Sequence, residues 1–158
     1  WTAGDLTGVK SLDAEFLASR ESAELRAETA QMGFSLRRLL RDLRDDSLGS
    51  VAQAVDAWPE VAYPTVWAGI AAAWRIDPSA ALTAYLWSWA ENQVMAALKA
   101  VPLGQAAGQR VLADLGGRLP AVAAQALALP RARWSNFTPG FAIACARHET
   151  QYSRLFRS

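Results

Sequence analysis

The stretch LRAETAQMGFSLRRLLRDLR, residues 25–44, decides the fold class because its apolar side chains recur at the spacing of an α-helix. Arginines occupy the other faces of the same helix. The apolar positions are Leu25, Met32, Leu36, Leu39, Leu40 and Leu43. We therefore predict one long amphipathic helix over residues 12–44, bent near Gly33.

Helices are predicted along the rest of the chain as well. About a fifth of the residues are alanine, the strongest helix former, and alternating β-branched runs are absent. Asp77-Pro78 predicts a helix start, since Asp caps the first turn and Pro fits inside it. The predicted segments are residues 50–57, Pro64 to Arg75, Asp77 to Ala100, two pieces of Leu103 to Leu129 divided around Gly116-Gly117 and Pro120, and Pro139 to Gln151. They predict an all-α, compact single-domain helical bundle over residues 1–158.

Composition excludes several classes of protein. Lys plus Arg number 16 and Asp plus Glu 15, so the net charge of +1 argues against binding nucleic acid by bulk charge. The best apolar run, Val66 to Trp74, is about half the roughly 18 residues of a membrane span, so we expect no membrane partner. The single cysteine fits a reducing compartment, which predicts a cytoplasmic location.

Neither a metal site nor a catalytic set is predicted. Cys145 and His148 share a helix face, but they are two ligands where a closed zinc or nickel site needs about four. His148-Glu149 begins like a zinc-protease signature, yet Tyr152 stands where the second histidine belongs. No Gly-x-Ser-x-Gly elbow is present. We therefore expect no enzyme activity, no catalytic residue and no cofactor.

The segment RHETQYSRLFRS, residues 147–158, is predicted to bind a partner. It interleaves arginine with tyrosine and phenylalanine, the residues enriched at binding hot spots, where a free tail would be rich in Lys or Glu. We expect Arg147 and His148 to lie nearer the body of the fold. The candidate contact residues are Arg147, His148, Glu149, Tyr152, Arg154, Leu155, Phe156 and Arg157.

Lys99 and Gln105 form a second candidate surface. Lys99 is the only lysine in a long apolar stretch, and it precedes the turn at Pro102-Leu103-Gly104. Burying it without a partner would be costly, so it is expected to face outward. Either it contacts another protein, or its positive charge only stabilises the C-terminal end of its helix through the helix dipole.

Four segments resemble the urease accessory protein F (UreF) family, and the resemblance covers nearly the whole chain. They are residues 147–158, Arg20 to Arg26 with Gln31-Met32-Gly33, Val94 to Leu98, and Lys99 to Gln105. The resemblance implies an all-helical homodimer that binds the accessory protein UreD (also called UreH) and recruits the GTPase UreG to deliver nickel to apo-urease. It places Lys99 on the surface that engages UreG. Compared with the family, the chain is expected to lack an N-terminal portion containing a Pro-Gly-aromatic-Ser segment.

A different class of function stays open beside this one. Apolar residues surround the predicted helices of residues 64–75 and 77–100 on most sides, so we expect both helices at the centre of the bundle. Their tryptophans are at helical spacing and are expected in the core. The alternative is that Trp67, Trp74, Trp87 and Trp89 line a cavity for a small molecule.

Overall fold

The computed structural model describes residues 1–136 and 138–153, and this part of the chain is all-α, as predicted. It contains seven α-helices, two short 3-10 helices at Asp46–Leu48 and Arg131–Arg133, and no strand. The α-helices are α1 (Leu6–Ala18), α2 (Ala23–Leu43), α3 (Gly49–Asp56), α4 (Tyr63–Ala73), α5 (Pro78–Ala100), α6 (Gln105–Ala128) and α7 (Pro139–Glu149). None of these helices is both long enough and apolar enough to cross a membrane.

The prediction of one helix over residues 12–44 is wrong, because the chain turns between α1 and α2. Ser19 ends α1, and its hydroxyl donates to the carbonyl of Phe16 at 2.8 Å. Ser22 is extended (φ −139°, ψ 157°), and its hydroxyl accepts from the N–H of Leu25 at 3.1 Å. Serine side chains compete with the helix for backbone groups, so two of them near each other end one helix and start the next.

The prediction of two helices within residues 103–129 is also wrong, since α6 is continuous. Pro120 lies inside it on an exposed face, where its missing N–H removes one backbone bond without opening the core. Gly116 lies against α5: a Cβ there would come within 2.4 Å of the Trp87 ring. The glycine thus allows close helix packing instead of ending the helix.

The described part of the chain divides into two compact units, and the first contains residues 1–76 together with 136 and 138–153. In it α2 packs against α4, and α3 packs against both. Gly33 permits this approach, because a Cβ on it would lie 2.1 Å from the carbonyl oxygen of Val61. The core of this unit consists of Leu40, Leu48, Val51, Val55, Trp58, Val61 and Val66.

Two buried polar side chains hold the start of α4. The Asp13 carboxylate, 4% exposed, accepts from the N–H of Ala62 at 2.9 Å. The Thr29 hydroxyl accepts from the N–H of Tyr63 at 3.3 Å. These are N–H groups at the beginning of a helix, which have no partner within it. Residues of α1 and α2 therefore complete the N-terminus of α4.

The second unit, residues 77–135 in the described part of the chain, is built on α5 and α6. Asp77 caps α5 as predicted: its carboxylate accepts from Ser79 N at 2.9 Å and Ala80 N at 3.2 Å. The small core of the second unit consists of Ala90, Val94 and Leu112, with Leu98 and Leu115 packed against it.

The expectation that α5 is surrounded on most sides is wrong. Trp89 is 59% exposed and Met95 44%, because α6 is the main neighbour of α5 and covers only one of its faces. The tryptophans, which were expected in the core, are likewise buried in some positions and exposed in others. Trp58 is buried in the first unit, whereas Trp74 and Trp134 are about half exposed. Helical spacing locates an apolar side chain on a face, but the number of neighbouring helices decides whether that face is covered.

Candidate partner-binding site

The C-terminal segment begins at the last turn of α7, where Arg147 and His148 are exposed. Helix α7 starts at Pro139, as predicted, with Pro in the first turn. These two basic side chains lie in the last turn of α7, where positive charge interacts favourably with the negative end of the helix dipole. This turn lies against the first turn of α2.

Two side-chain contacts join these helix ends. His148 Nδ1 lies 2.6 Å from Glu24 Oε2, and Glu149 Oε1 accepts from the N–H of Ala23 at 2.5 Å. The Glu24 carboxylate belongs to the first turn of α2, and the Glu149 carboxylate at the end of α7 lies against that turn. Unpaired N–H groups and the positive end of the helix dipole favour negative charge there. We call Ala23, Glu24, His148 and Glu149 the tail latch.

A third contact holds the segment that leads into α7. Asn136 Nδ2 donates to the carbonyl of Ser19 at 2.6 Å, in the turn between α1 and α2. The chain on both sides of α7 is therefore fixed to the same part of the first unit. Residues 147–149 lie at the body of the fold, whereas Tyr152 is fully exposed (102%). The predicted contact residues Arg154, Leu155, Phe156 and Arg157 lie outside the described residues.

Lys99 and Gln105 lie in the second unit at the turn between α5 and α6, and both side chains are exposed. Lys99 occupies the last turn of α5, and Gly104 precedes α6 in an extended conformation. This position is compatible with both interpretations of Lys99. Its side chain is accessible to a partner, and its positive charge interacts favourably with the negative end of the α5 dipole.

The potential metal ligands within residues 1–136 and 138–153 are dispersed. No group of three or more His, Cys, Asp or Glu side chains there is arranged to hold a metal ion. Cys145 is a half-buried free thiol, and His148 is engaged with Glu24. A groove of about 460 Å³ runs beside α2, but no tryptophan lines it; its walls include Phe34, Arg37 and Glu60.

Sequence reasoning missed Glu24 as part of the site. Glu24 is not among the predicted contact residues, although it belongs to the segment Arg20 to Arg26, which carries part of the family resemblance. A carboxylate in the first turn of a helix is ordinary by itself. Only the chain's return after 124 residues gives Glu24 its histidine partner.

The chain is similar to known proteins along its whole length. A family model described as UreF matches residues 1–116. Over 158 residues the chain is 76% identical to the urease accessory protein UreF of Dechloromonas aromatica (strain RCB), covering 100% of this chain and 69% of that protein. It is 60% identical over 162 residues to the urease accessory protein UreF of Azoarcus sp. (strain BH72), covering 100% and 68%.

These similarities show that the chain is an accessory protein, a protein that assists an enzyme and is not an enzyme itself. The chain belongs to the UreF family of urease accessory proteins, and its role lies in urease maturation. The family resemblance inferred from the four sequence segments is thereby confirmed.

Proposed function

We propose that the protein is a scaffold that joins a UreD-type (UreH) accessory protein to the GTPase UreG during nickel delivery to apo-urease, in the cytoplasm, and that it modulates GTP hydrolysis. The observation that carries this proposal is the C-terminal segment, which is fixed at its root by the tail latch and presents an exposed Tyr152 just beyond it. A fixed root with an exposed aromatic side chain suits binding to another protein.

The UreD-type partner is proposed to contact the C-terminal segment. Deleting residues 153–158 should abolish co-purification with UreD and leave the helical circular-dichroism signal intact. Tyr152→Ala should weaken binding, while Phe141→Ala, which removes an exposed aromatic side chain of α7, should not. Normal binding by the deletion variant would refute a role for this segment.

UreG is proposed to contact Lys99 and Gln105. Support comes from their exposure on both sides of one turn and from the charge of Lys99. Lys99→Ala should change GTP hydrolysis by the assembled complex and retain UreD binding. Lys10→Ala is a matched control, because Lys10 is the other lysine of the chain and is exposed on α1. If GTP hydrolysis is unchanged in Lys99→Ala, Lys99 does not contact UreG, and its charge only stabilises the C-terminal end of α5.

We also propose a homodimer that forms through helix surface and without metal. Several large apolar side chains are about half exposed on α5 and α6, among them Trp89, Val111 and Leu127, and such surfaces mark partner sites. Sedimentation with a chelator should show the dimer. A monomer under chelator that dimerises on adding nickel would contradict this assembly.

A further inference from the structure

The tail latch is reciprocal, since each helix end supplies a carboxylate to the other. Glu149 reaches from α7 to the N–H of Ala23 on α2, and Glu24 reaches from α2 to the imidazole of His148 on α7. The residues of each pair are 126 and 124 positions apart. Neither pair is local, so the latch exists only when α7 lies in its place on the first unit.

We infer that this latch fixes the position and direction in which the C-terminal segment leaves the fold, so that Glu24 is a positioning residue for partner binding by that segment. The inference rests on the proposed function for its consequence, because it assumes that the segment binds the UreD-type partner. The latch itself rests on distances within the first unit alone.

The physical reason is the conformational entropy that a chain segment loses when it binds a partner. A segment with a fixed root samples fewer conformations before binding, so less conformational entropy is lost when the partner docks. Hydrogen bonds that involve a charged group are stronger than neutral ones, and both latch contacts use a carboxylate. Removing the Glu24 carboxylate should therefore loosen the root without touching a residue of the segment itself.

Glu28 provides a matched control for Glu24. It lies one turn further along α2, is exposed, and has the same side chain. Glu28→Ala removes a negative charge from the same end of the helix and leaves both latch contacts in place. Glu24→Gln is the conservative variant, since its amide oxygen can still accept a hydrogen bond from His148.

The test measures two properties of the full chain. The first is affinity for the UreD-type protein, which should fall about tenfold in Glu24→Ala, less in Glu24→Gln, and stay unchanged in Glu28→Ala. The second is the rate at which trypsin cuts after Arg147, followed by mass spectrometry, which should rise roughly fivefold in Glu24→Ala as the helix end opens more often. Circular dichroism should show that all three variants stay folded.

The outcomes separate this inference from the proposed function. If the 153–158 deletion abolishes binding but Glu24→Ala binds like the full chain, Glu24 is not a positioning residue, whatever the cleavage rate. If the deletion binds normally while Glu24→Ala is cut faster, the proposed role of the segment fails and the latch stands. An unchanged cleavage rate together with unchanged affinity overturns the latch altogether.

Discussion

Trp74 Nε1 donates a hydrogen bond of 2.9 Å to Asp45 Oδ2, which joins the end of α4 to the turn after α2. The other oxygen of Asp45 accepts from the N–H of Ser47 at 2.9 Å and from its hydroxyl at 2.6 Å. These bonds favour the ionised carboxylate and lower the pKa of Asp45 below its ordinary value of 3.8, the Ser47 hydroxyl first and Trp74 next. The half-exposed Trp74 is therefore held in place at the surface.

The turn at Asp45 predicts a pH-dependent stability. A carboxylate whose pKa is lowered by folding stabilises the native state above its unfolded pKa, and this stabilisation is lost as the pH falls through the folded pKa. Ser47→Ala and Trp74→Phe should thus lower the free energy of unfolding at pH 7, and the difference from the unsubstituted chain should narrow below pH 3.8. Urea unfolding across this range measures it. Ser50→Ala is the control, and a difference independent of pH would contradict the assignment.

Gly33→Ala should destabilise the first unit strongly. Its Cβ would meet the Val61 carbonyl oxygen at 2.1 Å and backbone atoms of Ala62 and Tyr63 at 3.0 Å, and backbone cannot rotate away. We expect a loss of about 2–4 kcal/mol in the free energy of unfolding. Gly117→Ala has open space around it and should instead gain about 0.5–1 kcal/mol from helix propensity. Denaturant unfolding of both variants checks this, and equal effects would show that α2 does not approach residues 61–63 so closely.

Asp13→Ala should also destabilise the first unit, because it leaves the buried N–H of Ala62 without an acceptor. The expected cost is about 1–3 kcal/mol. Asp13→Asn keeps an acceptor oxygen and should cost less, whereas Asp42→Ala, at an exposed position of α2, should change stability little. The free energy of unfolding decides among them; a similar loss in Asp13→Ala and Asp42→Ala would refute the role of the buried bond.

Arg75→Gly should stabilise the protein. Arg75 has φ 54° at the end of α4, where the N–H of Ile76 bonds to the Ala71 carbonyl at 2.9 Å and the N–H of Arg75 to that of Ala72 at 3.1 Å. Glycine adopts this left-handed conformation without steric cost, so we expect a gain of about 0.5–1 kcal/mol. Arg38→Gly, within α2, should lose about 1 kcal/mol. Thermal melting of the two variants should therefore shift in opposite directions.

The amino-acid sequence determined most helix starts and the family. Asp77-Pro78 and Pro139 begin α5 and α7 as predicted, because capping side chains and the ring of proline act within one turn of chain. The extended resemblance of residues 147–158 and three other segments was sufficient for the family, since it depends on order and identity alone.

Only the tertiary structure decided where helices are interrupted and which faces are covered. Pro120 remains inside α6 because packing against α5 outweighs one missing backbone bond, and Trp89 is exposed because one neighbouring helix covers one face. The pair of Glu24 and His148 joins positions 124 residues apart. Local preferences act over a few residues, whereas these features depend on which distant segments meet. For that reason the candidate contact residues could be named from sequence, but the latch that holds their root could not.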